Sequence, residues 1–226
     1  MTILETPTPN LNDSLAFYES LGFTKLKDSQ TLLTDSKVIV SINDDRFARA
    51  GIKIYKEKWD TEINKIKAIT KVFSKENNHV FYDATGVPIT LVESEEEQPN
   101  IENAAASVLG TFAGVSLETP DFEKSFKLLG IIGFEPSMGG LEQGWVALTN
   151  KAGFSISLMQ PNTCPHLFFN PSMTYFNGKN NIEVIANVRK ANVKITEEIT
   201  TFNKEGIVDN IILRDPGGYG FFIFSD

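Results

Sequence analysis

The chain has 226 residues, 41% hydrophobic and 22% charged, which is enough apolar mass to core one large or two small domains and rules out wholesale disorder. Lys and Arg number 21 against 29 Asp and Glu, and the resulting net charge of −8 argues against a nucleic-acid or anionic-membrane surface. The single cysteine, Cys164, excludes an intrachain disulfide and fits a cytoplasmic setting, and neither a signal-peptide pattern nor an apolar run of roughly 20 residues occurs.

A strand is expected over residues 2–6, then a helix that Asn10 caps and Gly22 ends. Leu11, Leu15, Tyr18 and Leu21 recur along it at helical spacing. Strands follow near 23–27, 31–34 and 37–42. The pattern restarts with a strand at 51–56 and a helix over 60–70, with Trp59, Ile63, Ile66 and Ile69 on one face. Strands near 71–74, 79–83 and 88–92 close that unit. Residues 93–99, acidic and ended by Pro99, read as a solvated stretch. A strand at 112–118 then leads to a helix that Asp121 caps and Gly133 ends, with Phe122, Phe126, Leu129 and Ile132 at helical spacing. Strands are expected near 133–137, 144–149, 154–159 and 173–177. A last helix spans 180–192, with Ile182, Ile185 and Val188 on one face, before strands near 195–202, 207–214 and 220–224.

The two halves repeat. Thr8-Pro9-Asn10-Leu11-Asn12-Asp13-Ser14-Leu15 reads against Thr119-Pro120-Asp121-Phe122-Glu123-Lys124-Ser125-Phe126, and Leu21-Gly22-Phe23 against Ile132-Gly133-Phe134, at a constant shift of 111 residues. The halves also end alike, Asp83-Ala84-Thr85-Gly86 against Asp215-Pro216-Gly217-Gly218. The expected class is α+β: four βαβββ units forming two domains, 1–96 and 110–226, joined by a linker at 97–109.

These residues resemble the vicinal oxygen chelate superfamily, which holds glyoxalase I, bleomycin-resistance proteins and extradiol dioxygenases. The family's Ser-x-x-Phe-Tyr helix and Leu-Gly-Phe junction are similar to Ser14-Leu15-Ala16-Phe17-Tyr18 and Leu21-Gly22-Phe23. Its Asp-Pro-x-Gly-Asn turn is similar to Asp215-Pro216-Gly217-Gly218-Tyr219. The resemblance implies two units per domain, with each sheet pair curled into an open cup that holds ligand and often a divalent metal on His or Gln and Glu. Carried over residue by residue, the metal positions fall on Ile3 and Thr90 in the first half and on Gly114 and Phe222 in the second. On the other ligand-bearing strands the nearest matches are Gly51, Met173 and the segments 38–41 and 154–157. None supplies His, Cys, Asp or Glu, so no metal ligand is assigned and no cofactor is expected.

Strand alternation sorts what lines each cup. In the second half it points inward Gly114, Ser116 and Glu118, then Ser155, Ser157 and Met159, then Tyr175 and Asn177, then Phe222 and Phe224. Apolar walls with a few polar groups suit a small molecule, unless a loop fills the space. Glu118, set beside Phe and Tyr, is a candidate general base, or else a strand-end carboxylate reaching solvent. The first-half cup would present Ile3, Glu5, Ser41, Lys53, Tyr55, Thr90 and Val92. Because Lys53 and Glu5 would neutralise each other there, the second half is the expected site. Cys164-Pro165-His166, ahead of Phe168 and Phe169, reads as a loop packing aromatics over a cup, or as a Cys–His metal or nucleophile pair. The expected function is metal-independent binding of an aromatic or apolar small molecule. The alternatives are a lyase, isomerase or dioxygenase of the same superfamily with a displaced metal, or an interaction module with filled cups. The expected partner is a small molecule, with no nucleic acid and no membrane, and the chain is expected as a monomer or homodimer.

Overall fold

The computed structural model describes residues 1–27, 29–95, 99, 101 and 104–225. The first unit runs β1 (Thr2–Pro7), α1 (Leu11–Ser20), β2 (Thr24–Lys25), β3 (Leu32–Thr34) and β4 (Ile39–Asn43). The second runs β5 (Gly51–Lys56), α2 (Asp60–Lys67), β6 (Val72–Lys75), β7 (Asn78–Tyr82) and β8 (Pro88–Glu93). The third comprises β9 (Phe112–Glu118), α3 (Phe122–Ile131), β10 (Phe134–Gly140), β11 (Trp145–Asn150) and β12 (Ser155–Met159). The fourth comprises β13 (Ser172–Phe176), α4 (Asn181–Lys190), β14 (Ile195–Ile199), β15 (Asn210–Arg214) and β16 (Gly220–Phe224). The protein is thus α+β, built of four βαβββ units.

The helix ends follow local chemistry. The Asn10 side chain accepts from the backbone N–H groups of Asn12 and Asp13, and that of Asp121 accepts from Lys124. Gly22 and Gly133 stand at φ +92° and +95°, where a side chain would be strained. Some expected spans shorten. The strand expected at 23–27 shrinks to β2, with Phe23 turned into the core 5.2 Å from the Tyr18 ring. The strands expected at 195–202 and 207–214 are cut back because Asn203 closes a turn with both backbone groups of Ile207.

How the units pair was open from the sequence. The first joins the second through antiparallel β1 and β5, Leu4 opposite Ile52, and the third joins the fourth through β9 and β13. Within each unit the opening and closing strands lie side by side and parallel, with the helix carried over one face between them. Two eight-stranded mixed sheets result, in orders β2-β3-β4-β1-β5-β8-β7-β6 and β10-β11-β12-β9-β13-β16-β15-β14. The matching orders are the structural form of the internal duplication.

One continuous core serves both sheets. Leu4, Ile52 and Ile89 of the first sheet and Val115, Leu117 and Phe221 of the second are buried in a single cluster. Helix α1 of the first half reaches the second sheet, with the rings of Phe17 and Tyr18 5.7 and 5.9 Å from that of Phe221.

Two carboxylates caught in this seam find partners across it. Asp215, 4% exposed, accepts from Thr6 Oγ1 at 2.6 Å, Tyr18 OH at 2.9 Å and the Tyr219 backbone N–H at 2.7 Å. Asp35 accepts from Tyr175 OH at 2.9 Å and Ser107 Oγ at 3.1 Å. Burial, aided by the facing carboxylates, holds the Tyr18 and Tyr175 phenols well above their usual range, so both remain donors. Gly217 backs so closely onto Pro7 that a Cβ would overlap the Pro7 carbonyl oxygen.

Residues 104–109 of the expected linker pack on the first half. Val108 donates to the Leu21 carbonyl, and Leu109 is fully buried. Glu96, Glu97, Gln98, Asn100, Glu102 and Asn103, and with them the expected boundary at 96/97, lie outside the described residues. No helix among the described residues is long and apolar enough to cross a membrane.

Burial pushes the Asp215 carboxyl above the usual carboxylate range, outweighing the hydrogen bonds that lower it. Between the ordinary and the raised pKa the folded chain therefore holds a proton that the unfolded chain has released, so this group's contribution to stability falls as pH rises through that window. Urea midpoints of wild type and Asp215→Asn should accordingly drift against the wild type with rising pH, and a drift in the other direction would contradict the burial argument. Tyr18→Phe, which removes one buried donor to Asp215, should cost about 1–3 kcal/mol in the same titrations.

Candidate functional site

Each sheet gives one face to the shared core and leaves the other to line a cup. Across the second sheet Gly114, Ser155, Thr174 and Phe222 stand level, and Ser116, Ser157, Ser172 and Gly220 form the next row. Glu118 lies opposite Met159, and Phe224 opposite Phe176.

Tyr175 and Asn177 do not face this cup. Tyr175 pairs with Ile223 on the core side, fully buried, because its phenol is spent on Asp35. Thr174 and Phe176 take the cup-side positions of β13 instead. Asn177 lies beyond the strand, where its side chain accepts from the Thr111 N–H and donates to Leu109 O and Asn181 Oδ1. Alternation fixes a period of two but not its phase, and a one-residue offset moves every side chain to the opposite face.

The second-half cup is covered in part by its own chain. Residues 160–171, between β12 and β13, lie over it: His166 packs on Phe222 at 4.4 Å, Phe169 sits against Gly220, and Leu167 N–H bonds Glu197 Oε2 at 2.8 Å. Cys164 donates to Met159 Sδ at 3.8 Å, while His166 Nδ1 lies 2.9 Å from Leu167 O. Burial and the Glu118 carboxylate push the Cys164 thiol up to about 11. Burial thus disfavours the Cys164 thiolate a nucleophile needs, and His166 Nδ1 is turned to the Leu167 carbonyl. Glu118 is half-buried, opposite Met159 on β12 and close enough to Cys164 to act on its thiol. Ser155 is tied to Thr149 Oγ1 at 2.8 Å.

The first-half cup is open. Its covering loop, residues 44–50, has seven residues where 160–171 has twelve. Beneath it lies a cavity of about 520 Å³ with Glu5, Lys53 and Thr90 on its floor and Val80, Tyr82 and Pro88 on its walls. Phe47 and Arg49 of the loop, with Lys75 of β6, complete the rim. Glu5 and Lys53 form the expected ion pair, with side chains 14% and 26% exposed. Sequence reasoning missed Phe47, Arg49, Lys75, Val80 and Tyr82. The available signal was residues 44–50 themselves, a short segment holding two of the chain's four arginines, Arg46 and Arg49. A second cavity, of about 670 Å³, lies over the seam beside Phe17, Lys194 and Arg214, but its buried carboxylate, Asp215, is already taken by Thr6, Tyr18 and Tyr219.

No protein-family model matches the chain, and no curated protein matches its sequence. Solved structures do match. A catechol 2,3-dioxygenase superposes with TM-score 0.60 at 11% identity, over 97% of this chain and 85% of that one. A variant of homoprotocatechuate 2,3-dioxygenase from Brevibacterium fuscum gives 0.62 at 13% identity, over 99% and 70%. The 2,3-dioxygenase LapB from Pseudomonas sp. KL28 gives 0.57 at 14% identity, over 99% and 90%. The chain thus shares the fold of these dioxygenases, with two eight-stranded sheets.

That fold implies a divalent metal on a cup floor. Level with the opening strands stand Ile3, Ile39, Lys53 and Thr90 in the first half and Gly114, Ser155, Thr174 and Phe222 in the second. Register thus puts Lys53 where the sequence suggested Gly51, and Thr174 where it suggested the core-facing Met173. Neither row offers an imidazole, carboxylate or thiolate, and the first presents an ammonium. This donor set does not fit a divalent cation. Among the described residues no three His, Cys, Asp or Glu converge.

A thiol raised from 9.0 to about 11 keeps roughly 100-fold less thiolate at neutral pH. Alkylation of Cys164 should therefore rise with pH through about 11. A profile that levels off below the ordinary thiol range would restore a reactive Cys164–His166 pair.

Proposed function

We propose that this chain, with 1–96 and 110–226 as its two domains, binds a small organic molecule in the first-half cup without a metal on the cup floor. The observation that carries the reading is the asymmetry between two equivalent faces. One is covered by residues 160–171, and the other opens on a cavity of about 520 Å³, within the usual range for small-molecule sites. Val80, Tyr82, Pro88 and Phe47 give it apolar surface, and Glu5, Lys53, Thr90, Arg49 and Lys75 give it polar and charged groups that can orient a ligand.

The similar solved structures favour a second reading, in which the chain is an enzyme of dioxygenase, lyase or isomerase type. They include 2,3-dioxygenases of catechol and homoprotocatechuate, and the match runs over nearly the whole chain. This reading needs a metal held by groups other than the floor positions, because a hydroxyl and an ammonium cannot replace imidazole and carboxylate ligands.

Metal content separates the two. Untagged protein never exposed to chelator should contain no stoichiometric zinc, iron, nickel or manganese by mass spectrometry, before or after incubation with each ion. Near-stoichiometric metal together with turnover of an aromatic diol would put the enzyme reading in its place.

A further inference from the structure

We propose that the first-half cavity selects a small organic anion, a carboxylate carrying an apolar or aromatic group, and that Lys53 holds its charged end. The inference rests on the reading of that cavity as the binding site. Two acidic side chains line it, Glu5 and Asp45, against three basic ones, Arg49, Lys53 and Lys75. A cavity with a positive balance inside a chain of net charge −8 concentrates anions.

The acids are committed, whereas the bases keep donors to spare. Asp45 turns its carboxylate back on its own loop, accepting from the Phe47 N–H at 2.7 Å. Arg49 spends one guanidinium nitrogen on the Ala48 carbonyl at 2.7 Å, which leaves the rest of its fork for a ligand. Lys75 makes no ion pair among the described residues. Lys53 is the deepest of the three, level with Ile3 and Thr90 on the floor. Its ammonium has three donors and one carboxylate partner, Glu5, so a second carboxylate would add a charge-assisted hydrogen bond in a partly desolvated place. Nearby Glu5 disfavours a second negative charge on the ligand, which points to a monoanion. The apolar end is provided for by Val80, Pro88 and Tyr82 and by Phe47, which is 70% exposed at the mouth with the Arg46 guanidinium 4.6 Å from its ring centre.

Benzoate, benzamide and inorganic phosphate test this on the full-length, isotope-labelled chain by backbone amide shifts. Benzoate should perturb amides of residues 51–55 and 89–92, and should bind about tenfold or more tightly than benzamide or phosphate. Glu5→Gln, which removes the competitor for Lys53, should raise benzoate affinity several-fold. Arg49→Gln should lower it, and so should the charge-balanced Glu5→Gln/Lys53→Met double variant, which avoids stranding a buried carboxylate. Benzamide binding as well as benzoate at these strands would overturn anion selection and leave the cavity reading intact. Phosphate matching benzoate would overturn the apolar half of the proposal. Perturbations confined to residues 155–159 and 220–224, or none with any probe at millimolar concentration, would overturn the cavity reading itself.

Discussion

A carboxylate sealed between two sheets must find donors or remain protonated, and Asp215 finds them in the opposite half of the chain. Thr6 and Tyr18 belong to the first unit, while Asp215 belongs to the turn of the fourth. Asp35 and Tyr175 make the complementary link from the first unit to the fourth. Around these groups the apolar faces merge into one core, with α1 laid against Phe221. The rest of the architecture depends on this seam. Once both sheets spend their helix-side faces on it, the opposite face of each is the one left for a ligand.

The duplication that makes two equivalent cups does not make two equivalent sites. Topology and strand order are the same in both halves. The difference lies in one connection. Twelve residues rich in Pro and Phe fold back over Phe222 and Gly220, whereas the seven residues 44–50, polar or small apart from Phe47, leave Lys53 and Thr90 uncovered. A covering loop needs apolar anchors to offset its ordering entropy. His166, Phe169 and Cys164 provide them, and the 44–50 loop, with Phe47 turned outward, does not.

The chemistry of the open floor also departs from the metal-binding form of this fold. The Lys53 ammonium stands level with Ile3 and Thr90 on that floor, where it repels a divalent cation. Lys53 offers hydrogen-bond donors and no open coordination position, and Glu5 beside it sets how much of that charge is free. Binding of an anion and Lewis-acid chemistry therefore place opposite demands on this position.

Much of the fold was legible because its signals are local. Asn10 and Asp121 cap the helices they begin, Gly22 and Gly133 end them in the left-handed region, and the repeat at 111 residues announced four units. The Ser-x-x-Phe-Tyr helix and the Asp215 turn pointed to a fold that the solved dioxygenase structures share. The Lys53–Glu5 pair was legible as well, since alternation on β1 and β5 set both on one face. Other features depended on residues far apart in sequence. Period-two alternation carried no phase for β13, so Tyr175 was assigned to the cup until Asp35, 140 residues away, claimed its hydroxyl. Which cup was open rested on whether residues 160–171 fold back, a competition between loop entropy and aromatic packing that is decided only when Phe222 and Gly220 are in place. The sequence by itself determined the units and their caps, because these follow from neighbouring residues and side-chain chemistry. Only the tertiary structure decided unit pairing, strand phase and the open cavity, because those depend on contacts that exist only after the two halves meet.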